Sequence, residues 1–163
     1  MASEPWKMPP IAKVYEAIGA LGDGRAAIKD STHASVRSSD GSKLYEVEIS
    51  GDGCEISSND SASYWQGYLG YPAIAVMLAR GLYSPRADVV KALSGVPWKE
   101  LNMRFRNNYD RTIAEVLQQA EQNGYDVAAI LQEAEAVLDA LRAASPLRGA
   151  RRRRPPPRAP KRR

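Results

Sequence analysis

The sequence predicts an α+β fold: a four-stranded antiparallel meander with helices packed on one face, then C-terminal helices and a disordered basic tail. Three observations predict it. Between residues 25 and 57 apolar side chains recur at every second position, and Asp40-Gly41 and Gly51-Asp52-Gly53 interrupt the stretch with turn chemistry. On both sides of that stretch the apolar period lengthens to three and four, the spacing of a helix face. The last sixteen residues hold nine Lys or Arg, four prolines and no acid, a composition that cannot bury apolar surface.

Pro9-Pro10 opens the first helix, in which Ile11, Val14, Ile18 and Leu21 form a stripe that ends at Gly22. Residues 1–8 ahead of it are expected to be flexible. Ala26 and Ile28, then His33 to Val36, then Tyr45, Val47 and Ile49, then Cys54 and Ile56 mark the four strands, one face buried and one wet. Cys54, a lone cysteine in a strand, reads as a small buried hydrophobe. Arg25, Lys29, Arg37 and Lys43 lie on or beside these strands, opposed by Glu46, Glu48 and Glu55. They form either a solvated face or the basic edge of a groove.

Tyr64-Trp65-Gln66-Gly67-Tyr68-Leu69-Gly70-Tyr71-Pro72 comes after the sheet and holds four of the chain's twelve aromatic residues within eight positions. Pro72 starts a helix without losing a hydrogen bond, Ala73 to Arg80 is apolar nearly all round and therefore buried, and Gly81 caps it. The rings ahead of that helix form either a lid on the core or a rigid stacking platform. Ser84-Pro85 opens a helix carrying Ala87, Val90 and Leu93. From Pro97, the residues Trp98, Leu101, Phe105, Tyr109, Ile113, Val116 and Ala120 trace one face of a single long helix, which Asn123-Gly124 stops. Asp126 caps the last helix, whose stripe of Val127, Ile130, Leu131, Ala134, Val137, Leu138 and Leu141 closes the core or meets a second copy of itself. A homodimer through residues 127–141 is the expected use.

The domain plan is thus 9–124 for a nucleic-acid-binding α+β domain, 125–144 for an assembly helix and 145–163 for the tail. The net charge of +4 conceals a division, because outside the last sixteen residues 14 basic residues face 19 acidic ones. The body is mildly acidic, and the tail is built to meet a polyanion. No apolar run reaches the roughly 18 residues that cross a bilayer, and the N-terminus lacks the regions of a signal peptide. A cytoplasmic protein without membrane contact is expected. One cysteine excludes an internal disulfide, and His33 and Cys54 stand in separate strands without a motif. Asp52, Glu55, Asn59 and Asp60 cluster as turn formers do. No catalytic residue, metal or cofactor is expected, so the chain reads as a binder and not an enzyme.

Single-stranded nucleic acid is held by rings that stack on bases and cations that track the backbone. Tyr64, Trp65, Tyr68 and Tyr71 offer the rings, while Arg37, Lys43, Arg104 and Arg106 offer charge from the body and Arg151, Arg152, Arg153 and Arg154 from the tail. The expected function is sequence-tolerant binding of single-stranded DNA or RNA, DNA favoured. The alternative is a protein–protein scaffold assembled through the last helix, with the tail as a polyanion tether.

A helix, a meander containing Ser38-Ser39-Asp40-Gly41-Ser42-Lys43-Leu44-Tyr45, then Tyr64-Trp65-Gln66-Gly67-Tyr68 and several helices is similar to the archaeal ThermoDBP family of single-stranded-DNA-binding proteins, over about residues 8 to 143. That resemblance implies a binding cleft beside the sheet and dimerisation through C-terminal helices. The order of strands, loop and Gly-x-Pro before an apolar helix also resembles a SWIM-type zinc module. Here Ser57, Ser58 and Asn59 stand near its first ligand pair and Pro72 to Ala75 near its second, so that resemblance implies a shell without metal.

Overall fold

The computed structural model describes residues 4–149 and 153–157. In chain order they form α1 (Ile11–Gly22), β1 (Ala26–Ile28), β2 (His33–Arg37), β3 (Leu44–Ile49), β4 (Glu55–Ser58), a π-helical turn (Ala62–Gln66), α2 (Tyr71–Ala79), α3 (Ala87–Leu93), α4 (Trp98–Arg104), α5 (Tyr109–Gln122), α6 (Val127–Ala144) and β5 (Leu147–Arg148). The architecture is α+β. Strands β1 to β4 pair antiparallel in sequence order, and β5 joins parallel to β4, making a mixed five-stranded sheet.

Alternation sorts most of the strand residues, although Ser35 on the outer side of β2 is buried as well. Ala34, Val36, Val47, Ile49 and Ile56 are buried on the inner face, against which α2 lies, while Glu46, Glu48 and Arg37 stay exposed. Helix α2 has sheet on one side and α1 on the other, and so Pro72 to Val76 are buried all round as its composition requires. Each large aliphatic side chain enclosed this way stabilises the fold by roughly 1.5–3 kcal/mol.

Helix α1 is the hub. One apolar stripe is expected on it, yet every residue from Ala12 to Ala20 is buried, Lys13 and Glu16 included. The reason is tertiary: α2, α3, α5 and α6 all pack on it. Gly19 admits the closest approach, because a Cβ there would sit 2.6 Å from Trp98 Nε1 and 2.9 Å from the Leu93 carbonyl.

Five expectations need correction. The single helix from residue 98 is two helices, since the backbone turns left-handed at Arg106 (φ 51°) and Asn107 (φ 60°). Asparagine tolerates that conformation, and Asn108 then caps α5 by accepting from Arg111 N at 3.3 Å. The stripe of α6 is spent inside the domain: Ile130, Ala134, Val137, Leu138 and Leu141 are buried, and only Leu131 of the stripe is largely exposed, at 46%. Homodimerisation through residues 127–141 therefore loses its apolar surface. Residues 5–8 are not loose, because Trp6 is buried, its indole N–H donates to Ile56 O at 2.9 Å and its backbone N–H to Pro146 O at 3.0 Å. Cys54 is exposed and precedes β4. The tail begins inside the sheet as β5, and Arg153 is paired with strand β3; residues 150–152 and 158–163, where the rest of the expected disorder falls, lie outside the described residues.

Candidate functional site

The aromatic stretch is shaped by Asp60. This carboxylate is buried, and it accepts Ser58 Oγ at 2.5 Å, Ser63 Oγ at 2.7 Å and Ser63 N at 3.0 Å. Its position requires glycine at 70, where any Cβ would collide with the carboxyl group. Held from beneath, the π-helical turn lifts Trp65 to 68% exposure, with the Tyr64 ring edge-on at 4.6 Å. Gly67 (φ 72°) then reverses the chain, and Leu69 drops to 0% exposure as the anchor.

The four rings consequently have three different surroundings. Tyr64 and Trp65 are the outer tip. Tyr68 is half-buried beside Tyr109 and Lys13, and burial pushes its hydroxyl pKa up. Tyr71 is turned inward against Tyr45, with ring centres 6.1 Å apart, and under the Arg25 guanidinium at 5.8 Å. Arg148 brings a cation to the loop, its Nη1 3.8 Å from the point where a Gly67 Cβ would stand, and the Lys7 backbone N–H donates to Gly67 O at 3.3 Å. Arg148 also covers the Trp6 ring at 4.8 Å.

A polar pocket of about 200 Å³ opens between α1, the β2–β3 turn and α4. Its floor is an ion pair: Lys13 Nζ to Glu16 Oε2 at 3.2 Å, the side chains 11% and 5% exposed. Asn102 Nδ2 donates to Glu16 Oε1 at 2.5 Å, and the Lys13 ammonium lies 4.7 Å from the centre of the Tyr109 ring. Burial works to lower the Lys13 pKa, but the Glu16 carboxylate and Tyr109 outweigh it and hold the ammonium charged. In the walls, burial pushes Tyr45 up to about 12, and burial with Tyr45 beside it raises Tyr71 further. At the mouth Lys99 Nζ pairs with Asp40 Oδ2 at 2.9 Å. Burial opposes ionisation of Asp40, yet the Ser42 hydroxyl and N–H, Lys99 and Ser38 hold its pKa well below the usual range. The left-handed Arg106 and Asn107 sit in the loop on the rim, a strained backbone of the kind that gathers at functional sites.

The outer sheet face carries a third cluster. Arg153 bridges Glu46 at 3.0 Å and Glu48 at 3.2 Å, roofing a groove of about 690 Å³ that Arg154 also lines.

Of the residues named from the sequence, Tyr64 and Trp65 come together, Tyr68 joins Lys13, and Tyr71 belongs to the pocket. The body cations do not gather around the rings. Arg37 Nη1 donates to Gly41 O at 3.2 Å in the β2–β3 turn, Lys43 closes the same turn through its carbonyl, and Arg104 pairs with Glu100 at 3.1 Å. Arg151 and Arg152 lie outside the described residues. On the sheet, period two sends Glu46 and Glu48 to the same side as Arg37, so the strand charges form a face of mixed sign. Sequence reasoning missed Lys7, Lys13, Glu16 and Asn102. The one signal for Lys13 and Glu16 was their place, three apart, within an otherwise apolar helix.

His33 Nδ1 lies 3.1 Å from Asp30 on the open side of the sheet, and among the described residues no group of three or more His, Cys, Asp and Glu is placed to hold a metal ion. Among them, too, no helix is long and apolar enough to cross a membrane. No curated protein and no solved structure matches the chain. A family model described as "Uncharacterised conserved protein UCP014422" matches residues 6–146, ending one residue before β5. By that match over most of its length, from the buried Trp6 to the end of the α-helical core, the chain belongs to the UCP014422 family.

Proposed function

We propose that the chain binds single-stranded nucleic acid, DNA favoured over RNA, in a sequence-tolerant way in the cytoplasm, and that it is a binder and not an enzyme. The observation that carries this reading is Trp65: an indole 68% exposed, on a turn braced by Asp60 and Leu69. A ring held out on a rigid support is a stacking surface, and each stacked base contributes roughly 1–3 kcal/mol whatever its identity. Arg148 beside Gly67 supplies a cation for the phosphates of the same strand. Relative to the sequence-based expectation, the rings of the loop stay in the reading, and the cation beside them is Arg148 instead of Arg37, Lys43 or Arg104.

The test is Trp65→Ala, with oligonucleotide affinity and thermal unfolding measured on the same protein. The expected loss is about 1–3 kcal/mol of affinity with stability changed by no more than about 0.5 kcal/mol, as for an exposed site. Affinity that stays at the wild-type value sinks the proposal.

A further inference from the structure

The polar pocket has no part in stacking at Trp65, and its floor has a hydrogen-bonding order. Read across Lys13, Glu16 and Asn102, it presents a donor, two carboxylate oxygens and a second donor, with contacts of 3.2 Å and 2.5 Å fixing the sequence. An ionised carboxylate offers about four lone-pair sites, of which these partners use two. Tyr45, Tyr71 and Trp98 also line it, and about 200 Å³ has room for one planar heterocycle with its substituent left at the mouth.

We propose that this pocket takes a single nucleobase of the keto class, guanine, uracil or thymine, by its Watson–Crick edge. Those bases place a ring N–H beside a carbonyl oxygen. The N–H donates to Glu16 while the carbonyl accepts from the Lys13 ammonium. Adenine and cytosine carry an unprotonated ring nitrogen in that position, whose lone pair would oppose the carboxylate. Reading a base edge with aromatic walls on its faces is the general solution for a base taken out of the stack. The inference rests on the single-strand reading for the source of the base, and adds one selective position to an otherwise tolerant strand.

The test uses the full chain and four probes with the same sugar and phosphate, GMP, UMP, AMP and CMP, titrated by calorimetry. GMP and UMP should bind at least about tenfold more tightly than AMP and CMP, the discrimination expected of a bidentate base contact. Glu16→Gln should erase the preference. Because that variant leaves Lys13 unpaired and is at risk of misfolding, Asn102→Leu at a half-buried position is the second; it should reduce the preference while keeping the wild-type circular dichroism. Equal affinity for all four, binding of none, or a preference untouched by both variants overturns the inference. Oligonucleotides that bind through Trp65 without any mononucleotide preference would remove this inference and leave the single-strand reading standing. Mononucleotide preference without oligonucleotide binding would do the reverse, and leave the pocket as a free-nucleotide site.

Discussion

Trp65 stands 68% exposed, whereas the charged side chain of Lys13 is 11% exposed. The two regions invert the usual sorting of side chains in opposite directions. The outer site leaves apolar area in water, a loss the fold tolerates because Asp60 and Leu69 carry the loop without help from the ring. The inner site takes two charges out of water, which their mutual attraction offsets only with good geometry and further hydrogen bonds. Asn102 supplies one of these, and the Tyr109 face another stabilising contact. A sequence selected only for stability would exchange these residues.

The largest effect should come from the inner site. Lys13→Met keeps the length of the side chain and strands a buried carboxylate, so stability measured by urea unfolding should fall by about 3–5 kcal/mol. Adding Glu16→Leu should restore most of it, because a buried pair replaced by apolar groups of similar volume is often neutral. A cost below about 1 kcal/mol for Lys13→Met would mean that Glu16 is hydrated through the pocket, and the contrast with Trp65 would collapse.

Alkali should separate the two regions next. Lys13, Tyr45 and Tyr71 all have folded pKa values raised above their ordinary ones, so the folded state keeps protons that the unfolded state releases. Their contribution is complete below the ordinary tyrosine value of 10.0 and is lost as pH rises, through about 12 for Tyr45. Melting temperature should therefore decline across that interval, in parallel with tyrosine ionisation monitored by absorbance. Trp65→Ala should leave the decline unchanged, and Tyr71→Phe should shallow it. A flat profile would show that the pocket tyrosines are open to water.

The smallest effect concerns the tail. Truncation after Gly149 keeps β5 and Arg148 but removes Arg153 from Glu46 and Glu48. If the tail contributes phosphate contacts, the slope of log affinity against log salt should flatten by roughly 0.7 for each one lost. An unchanged slope assigns the ionic contacts to the residues that remain, Arg148 beside the loop among them.

Much of the fold was legible because local chemistry and tertiary need agree. Period two marked β1 to β4, Gly81 and Gly124 stop helices with positive φ, and Asp126 caps α6 by accepting from Ala129 N at 3.2 Å. Elsewhere the decisive information is non-local. Lys13 and Glu16 have the spacing of an ordinary exposed pair, and only the packing of four other helices around α1 encloses them. Asn107-Asn108 is a breaker inside a continuous apolar stripe, and the breaker wins because Asn108 can cap α5. Of the candidate site, the rings were legible as a group but not their separation. Whether a ring points out, as Trp65 does, or in, as Tyr71 does, is set by a buried aspartate whose role no periodicity reveals.

The pairing of residues 4–6 with 146–148 has a consequence for how the chain folds. Trp6 N–H reaches Pro146 O and Arg148 N–H reaches Glu4 O, so the first described segment is closed in part by residues from the far end of the fold. Helix α1 meets α2 and α3 early, but the side of it that packs on α6 is covered only when α6 has been made, and contacts of such long range slow folding. The same geometry brings both ends of the fold to one edge beside β4. A short linker from residue 148 back to residue 4, with new termini cut in the exposed turn at Gly51-Asp52-Gly53, should yield a permuted chain in which that closure becomes local and refolding becomes faster.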